Sequence, residues 1–263
     1  MTIPTRGITY ARNKSLASVS ENTSFVAFID DDEVPAPQWL DELLWVQQTY
    51  NADVVGGPVT PYFVEKNVPQ WVLDGKFFER NRQSTGDNIE IAFTHNSLVR
   101  ADIFKQFTPV FQDRFAFTGG EDVHLFMGLH HQGYKMVWAD DALVTEWIPK
   151  SRTNMQWILR RGYRTWGSHS LCEQEYQPSV KIQALRVVKG SLLIMYGLLL
   201  LLPSLALKRH LFVKALLQIA RGAGTFSGLL GRHYEEYKVI NSSGDDKNPD
   251  DADVTPSTLT LES

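Results

Sequence analysis

The chain has 263 residues, a formal net charge of −4 and one cysteine, Cys172. That length suits one good-sized domain plus an appendage. The slight acidic excess, with no basic block, argues against nucleic acid as a partner. A lone cysteine excludes an internal disulfide framework and suits a reducing compartment, and the opening MTIPTRGITYARNKS has no apolar core of signal-peptide length.

Met1–Gly7 is a lead-in without a pattern of its own, and Tyr10–Val19 reads as a helix carrying Arg12 and Asn13. Phe25–Ile29 is an unbroken apolar run that ends abruptly in Asp30, Asp31 and Asp32. Such a run predicts a strand buried on both faces of a sheet. Ligands of open α/β sheets bind at the carboxyl ends of strands. Three adjacent carboxylates there call for a compensating positive charge, and a hard divalent cation, Mg2+ or Mn2+, suits them. The plainer reading is a solvated acidic turn.

Pro35 and Pro37 mark a helix start, and Trp39, Leu43, Val46 and Tyr50 recur at helical spacing. Asp53–Val59 predicts a second strand, with Gly56 and Gly57 signalling a bulge or close backbone approach. Thr60–Asn88 is long and irregular around Trp71, Phe77 and Phe78, which reads as a lid or acceptor-binding segment, or as an excursion of the core. Ile91–Arg100 predicts a strand with Asn96 near its middle, and Ala101–Phe107 a short helix.

Thr118-Gly-Gly-Glu-Asp122 opens a helix that Gly133 closes. Strands follow at Tyr134–Trp138 and Ala142–Trp147, then a basic helix over Asn154–Ser168 with Arg160, Arg161 and Arg164. Gly190–Leu207 carries no charged side chain. As a helix it is roughly 27 Å long, close to the hydrocarbon thickness of a bilayer. Leu211–Leu230 is apolar but holds Lys214 and Arg221, so it reads as a second span, an interfacial helix or a re-entrant arm, with Pro203 as the kink between arms. The alternative is a very hydrophobic soluble helix pair. Asn241–Ser263 is polar and acidic, with the composition of a disordered tail. The expected organisation is a catalytic domain over 1–150, a basic linker helix over 151–177, membrane-associated helices over 178–233 and a disordered tail over 234–263.

Two acidic sites therefore stand out, Asp30–Asp32 and Glu121–Asp122. Acidic residues in a first helical turn are commonly there for the helix dipole. Two separated carboxylate sites also permit a division of labour, one holding a metal on a phosphorylated donor and one taking a proton from an attacking hydroxyl.

The ordered set GITYARN (7–13), FIDDDE (28–33) with Trp39, THNSLVR (94–100), GGED (119–122) and WILRRGYR (157–164) resembles family 2 glycosyltransferases. The later stretch, through ARGAGTFSGLLGRHYEEY (220–237), is similar to membrane-associated bacterial members that build exopolysaccharide or other cell-surface glycans. The resemblance spans roughly 5–237 and implies an α/β GT-A fold, a Rossmann-like sheet followed by hydrophobic helices. Because the chain begins just before the ARN segment, the expected sheet lacks its first βα units, which leaves the strand at 25–29 with an uncovered edge.

The same resemblance implies residue roles. Asp30 and Asp32 fall on the DxD motif, with Asp32 as metal ligand and Asp30 and Asp31 holding the ribose or the metal's waters. Asp122 is the general base, with Glu121 beside it in the ED motif. Arg12 and Asn13 fall near the nucleotide, and Asn96 on the donor-sugar pocket; an arginine there is equally often a strand-end ion pair, and a buried asparagine is commonly structural. Arg160 and Arg161 face the diphosphate, anionic lipid or only solvent. Glu146 stands where relatives carry a late metal-ligand histidine. The implied reaction is inverting sugar transfer from a nucleotide-sugar donor to a glycan or lipid-linked acceptor, on the cytoplasmic face of the inner membrane, in contact with its lipids. Two rivals remain: an inactive glycosyltransferase-like membrane protein, and a haloacid-dehalogenase-type phosphatase with Asp30 as nucleophile.

Overall fold

The computed structural model describes residues 7–232; the tail expected to be disordered lies outside them. Helix α1 (Ile8–Ala17) leads into strand β1 (Phe25–Ile29), and β2 (Glu33–Pro35) precedes α2 (Trp39–Tyr50). The single strand expected over 53–59 divides into β3 (Val54–Gly56) and β4 (Val59–Phe63). Helix α3 (Gln70–Gly75), β5 (Asn96–Arg100), α4 (Ala101–Phe104), α5 (Glu121–His131), β6 (Met136–Trp138) and β7 (Val144–Ile148) complete the sheet region. Three long helices follow: α6 (Met155–Tyr176), α7 (Val180–Leu205) and α8 (Arg209–Leu229).

The main sheet runs β1-β5-β3-β6, with β5 antiparallel to both β1 and β3, and β6 parallel to β3. Successive residues of a strand point to opposite faces, and here that alternation builds two cores. Val54, Val99 and Met136 pack with Ile103, Phe111, Phe126 and Leu129 on the α4–α5 side. Their neighbours Val55, Leu98 and Val137 pack with Leu43 and Val46 of α2 on the other. The sheet is thus covered by helices on both faces, which is why its strands are apolar without polar alternation.

Strand β1 departs from its expected burial. It sits at the sheet edge, hydrogen-bonded to β5 alone, with Ala27 and Ile29 exposed. Its apolar run reflects one packed face and one open edge rather than two covered faces.

The break between β3 and β4 has a specific cause. Pro58 lacks a backbone donor, and a Cβ added to Gly57 would stand 2.6 Å from Asn96 Nδ2 and 2.7 Å from the Ala142 carbonyl oxygen. The chain leaves the main sheet there, and β4 joins a second sheet, β2-β7-β4, parallel to β7.

The irregular stretch after β4 is a core excursion. Phe78 stacks on Trp157 of α6 at 5.5 Å, and Val72 and Phe78 share a buried cluster with Ile148, Ile158, Val213 and Leu217. That cluster joins the second sheet to α6 and α8. Helix α6 begins where Asn154 Oδ1 accepts the Trp157 N–H at 2.9 Å, and it runs two turns beyond the expected Ser168 because Cys172 is buried against Val123 and Met127 of α5. Pro203 lies within the last turn of α7 rather than between two arms.

Small residues let α8 lie close between its neighbours. Gly224 packs on the Tyr163 backbone and Gly228 on that of Gly167 in α6, while Gly222 packs on Gly190 and Ile194 of α7. A side chain at 224 would press directly on the Tyr163 carbonyl. Gly224→Ala is expected to lower stability by about 1–3 kcal/mol through overpacking, despite regaining up to about 1 kcal/mol of helix propensity. Urea unfolding of the purified variant beside the unaltered chain checks this.

Candidate active site

A cleft of about 380 Å³ opens where α1, the end of β1, the start of α5 and one face of α6 converge. Arg12 and Asp30 line it from one side, Glu121 and Asp122 from another, and Arg161, Arg164 and Ser168 come from α6. Asp30 of the acidic triplet therefore meets Glu121 and Asp122 in one place, while Asp31 and Asp32 stand outside the cleft lining. Gly120 makes this possible: its φ of 92° is open to glycine at no steric cost, and a Cβ there would lie 2.7 Å from the Ser168 Cβ.

Arg12 is the clasp. Its Nη2 donates to Asp30 Oδ1 at 3.0 Å, and its Nη1 to Glu121 Oε1. Glu121 is 3% exposed, and its Oε2 has no partner. Burial, followed by the charge of Asp122, pushes its carboxyl up to about 7 against the opposing pull of Arg12. Burial likewise raises Asp122, opposed by Arg12 and by the Val123 N–H, which donates to Asp122 Oδ1 at 2.7 Å. The pair shares its protons, and the proton affinity belongs to both carboxyls.

A second network extends from the acidic triplet. Asp32 Oδ2 lies 2.9 Å from Arg152 Nη1, and the same nitrogen lies 3.2 Å from Glu146 Oε1. Arg80 reaches Glu146 Oε2 at 3.1 Å and also donates to His95 Nε2 at the cleft wall. Burial and the charge of Arg80 hold the His95 imidazole well below its ordinary pKa, so it is neutral. Glu33 stands directly across the strand pair from Glu146, and its Oε2 accepts the Asp30 N–H at 2.9 Å. Like charges directly opposite are destabilising. Glu33 resolves this by holding its proton: burial first, then Asp30 and Glu146, raise it to about 8.

Among the described residues no group of three or more His, Cys, Asp or Glu side chains is set to hold a metal ion. Asp32 and Glu146 nevertheless converge on one cationic nitrogen and offer the hard oxygen donors that Mg2+ or Mn2+ takes. Mg2+ commonly binds through one or two carboxylates with phosphate oxygens and water filling the rest, and this pair fits that arrangement. Asp30 is instead committed to Arg12, and Asp31 is exposed.

Three of the expected substrate contacts lie outside the cleft. Asn13 points away from the cleft and clamps Phe111, its Nδ2 donating to the carbonyl at 2.7 Å and its Oδ1 accepting the N–H at 2.9 Å. Asn96 is 1% exposed and ties α2 to both sheets: it accepts from Trp39 Nε1 at 2.8 Å and donates to the Pro58 and Ala142 carbonyls at 2.9 and 2.7 Å. Arg160 is exposed and outside the cleft lining. Arg161, one residue on, does line it, and burial with neighbouring Arg80 lowers it to about 10. Arg80, His95, Arg152 and Glu33 were not singled out from the sequence. His95 adjoins Asn96, and alternation at a strand start was the available signal; Arg80 and Arg152 lie in segments without periodicity.

The helix-covered α/β sheet gathers Asp30, Glu121 and Asp122 with several arginines into one cleft. Residues 2–108 match the family model described as glycosyl transferase family 2. Over 238 residues the chain is 29% identical to the succinoglycan biosynthesis protein ExoM of Rhizobium meliloti (strain 1021), covering 89% of this chain and 74% of that one. Among solved structures, S. aureus TarS 1–349 aligns over 87% of this chain and 72% of its own, with 13% identity and a TM-score of 0.40. Its complex with UDP aligns over 85% and 71%, with 13% identity and a TM-score of 0.38. Residues 2–108 thus carry the likeness to glycosyl transferase family 2, and the longer likeness to ExoM accords with it.

The protonated Glu33 carries a signed pH dependence. Its folded pKa of about 8 lies above the ordinary 4.5, so its contribution to stability is fully present below 4.5 and is lost as pH rises through 8. Glu33→Gln keeps the acceptor oxygen and removes the titration. The fall in melting temperature between pH 5.5 and 8.5 is expected to be smaller in the variant than in the unaltered chain, as read by parallel thermal scans.

Proposed function

We propose that the protein transfers a sugar from a nucleotide-sugar donor, with inversion, to a lipid-linked or polysaccharide acceptor in cell-surface glycan biosynthesis. The observation that carries this reading is the single cleft in which Arg12 holds Asp30 beside Glu121 and Asp122. The ExoM likeness supports glycan biosynthesis as the setting. The apolar outer face of α7 supports a membrane location. Placement on the cytoplasmic face accords with the lone thiol, Cys172.

In this mechanism the acceptor hydroxyl gives its proton to Asp122 as its oxygen attacks the anomeric carbon. The bond from that carbon to the diphosphate oxygen breaks on the opposite side, and the nucleoside diphosphate leaves with the electron pair. Arg80, Arg161 and Arg164 line the cleft at the right place to meet that developing negative charge. Mg2+ or Mn2+, held by Asp32 with Glu146, supplies further neutralisation of the diphosphate when bound. A raised Asp122 is a stronger base once deprotonated, so transfer rises with pH through the titration of the Glu121–Asp122 pair.

Asp32→Ala is expected to abolish metal-dependent binding of a UDP- or GDP-sugar in calorimetry. Binding that persists unchanged in that variant overturns the metal assignment. Asp122→Asn is expected to retain donor binding while transfer falls by about 10²–10⁴-fold. A normal transfer rate in Asp122→Asn refutes its role as base.

A further inference from the structure

Helix α7 passes the length and hydropathy test for a transmembrane span. Its neighbours decide otherwise. We infer that α7 lies in the plane of an anionic membrane surface, its outer apolar stripe in the acyl boundary, and does not cross the bilayer.

The argument starts from packing direction. Along α8, Leu217, Gly224 and Gly228 meet Gly162, Tyr163–Gly167 and Gly167–Ser170 of α6, so these two helices run parallel. On the opposite side, Gly222 meets Gly190 while Ala215 and Ile219 meet Gly197, so α7 runs antiparallel to α8. The uncharged half of α7 therefore lies level with the part of α6 that bears Arg161 and Arg164 and lines the catalytic cleft. A bilayer normal drawn along α7 would put those arginines, Asp30, Glu121 and the open edge of β1 at hydrocarbon depth. Ionised groups and unpaired sheet edges do not stand there. Laying the same helix flat removes the conflict, because only its outer face meets lipid.

That outer face is built for the purpose. Leu185, Val188, Leu192, Met195, Leu199 and Leu202 recur at three- and four-residue steps, all exposed, Leu199 by 72% and Leu202 by 76%. Spacing of this kind makes one continuous stripe on a helix. Arg186 faces inward, pairing with Glu173 and lying 2.9 Å from His169 Nδ1. Lys181, Lys189 and Lys208 are exposed. Between Glu175 and Glu235 the chain has no acidic residue and eight Lys and Arg. A large apolar face flanked by such charge is what an interfacial helix presents to anionic headgroups.

Leu185→Cys, Leu192→Cys and Leu199→Cys, each in the full chain, place a fluorophore at every second turn of the stripe; Cys172 is buried and stays unlabelled. Vesicles of phosphatidylcholine with 30% phosphatidylglycerol, a fraction of order one-third chosen for surface charge, carry nitroxide quenchers either near the headgroup or deep in the acyl chain. The expected result is flotation with these vesicles, weaker with phosphatidylcholine alone, and shallow quenching of equal strength at all three positions. Deep quenching at 192 and 199 with shallow quenching at 185 is the pattern of a span and overturns the inference. So does failure of the unlabelled chain to float with either vesicle, or a label environment that stays aqueous at every position.

Discussion

One guanidinium holds the site together. Arg12 comes from α1, Asp30 from the end of β1 and Glu121 from the first turn of α5, and the two ion pairs of Arg12 join all three. Removing charges from water is costly, and the mutual attraction offsets it only when both partners are in place. The acidic end of β1 and the acidic start of α5 thus require each other's neighbourhood through Arg12. Because Glu121 is nearly sealed from solvent, its charge and that of Asp122 cannot both be fully expressed, and the proton affinities of the pair rise. A carboxyl that holds its proton more tightly is a better base, so the same burial that strains the ion pairing suits the chemistry assigned to Asp122.

The second network has a complementary logic. Asp32, Glu33 and Glu146 are brought close by the pairing of β2 with β7, a crowding of negative charge at one spot. Two responses are visible: Arg152 and Arg80 bring positive charge to Asp32 and Glu146, and Glu33 keeps its proton. A guanidinium, that of Arg152, therefore already stands between the two carboxylates proposed above as metal ligands.

Much of this was legible in the sequence, for reasons that differ by element. Asp30, Glu121 and Asp122 stood out because charge follows an apolar strand or two glycines, and those junctions are where the cleft forms. Helix α2 was legible from its period and α5 from its terminal glycines. The burial of β1 was not, because an apolar pentapeptide looks the same at an edge as in the middle of a sheet; only the identity of its neighbours decides. Asn96 was placed on the donor-sugar pocket by the family resemblance, with a structural role as the alternative. Its amide instead satisfies the carbonyls exposed where the chain changes sheets at Pro58. Arg80 and Arg152 were invisible for a related reason: residues in aperiodic segments are placed by packing at a distance, here by Phe78 on Trp157 and by the turn before α6.

The glycines of α6, α7 and α8 connect the two halves of the protein. Close backbone approach at Gly167, Gly222, Gly224 and Gly228 makes the three helices a layered stack rather than a hinged arm. Helix axes in contact stand about 8–10 Å apart; α8 lies against both α6 and α7, and α7 also touches α6 directly where Arg186 meets Glu173 and His169. With α7 seated on lipid, the cleft face of α6 lies beyond that stack, above the surface and in water. An acceptor carried on a lipid anchor would have to present its hydroxyl at that height, whereas a donor arrives from solution. The stack of helices, rather than the chemistry of the cleft, sets how far from its anchor such an acceptor is glycosylated.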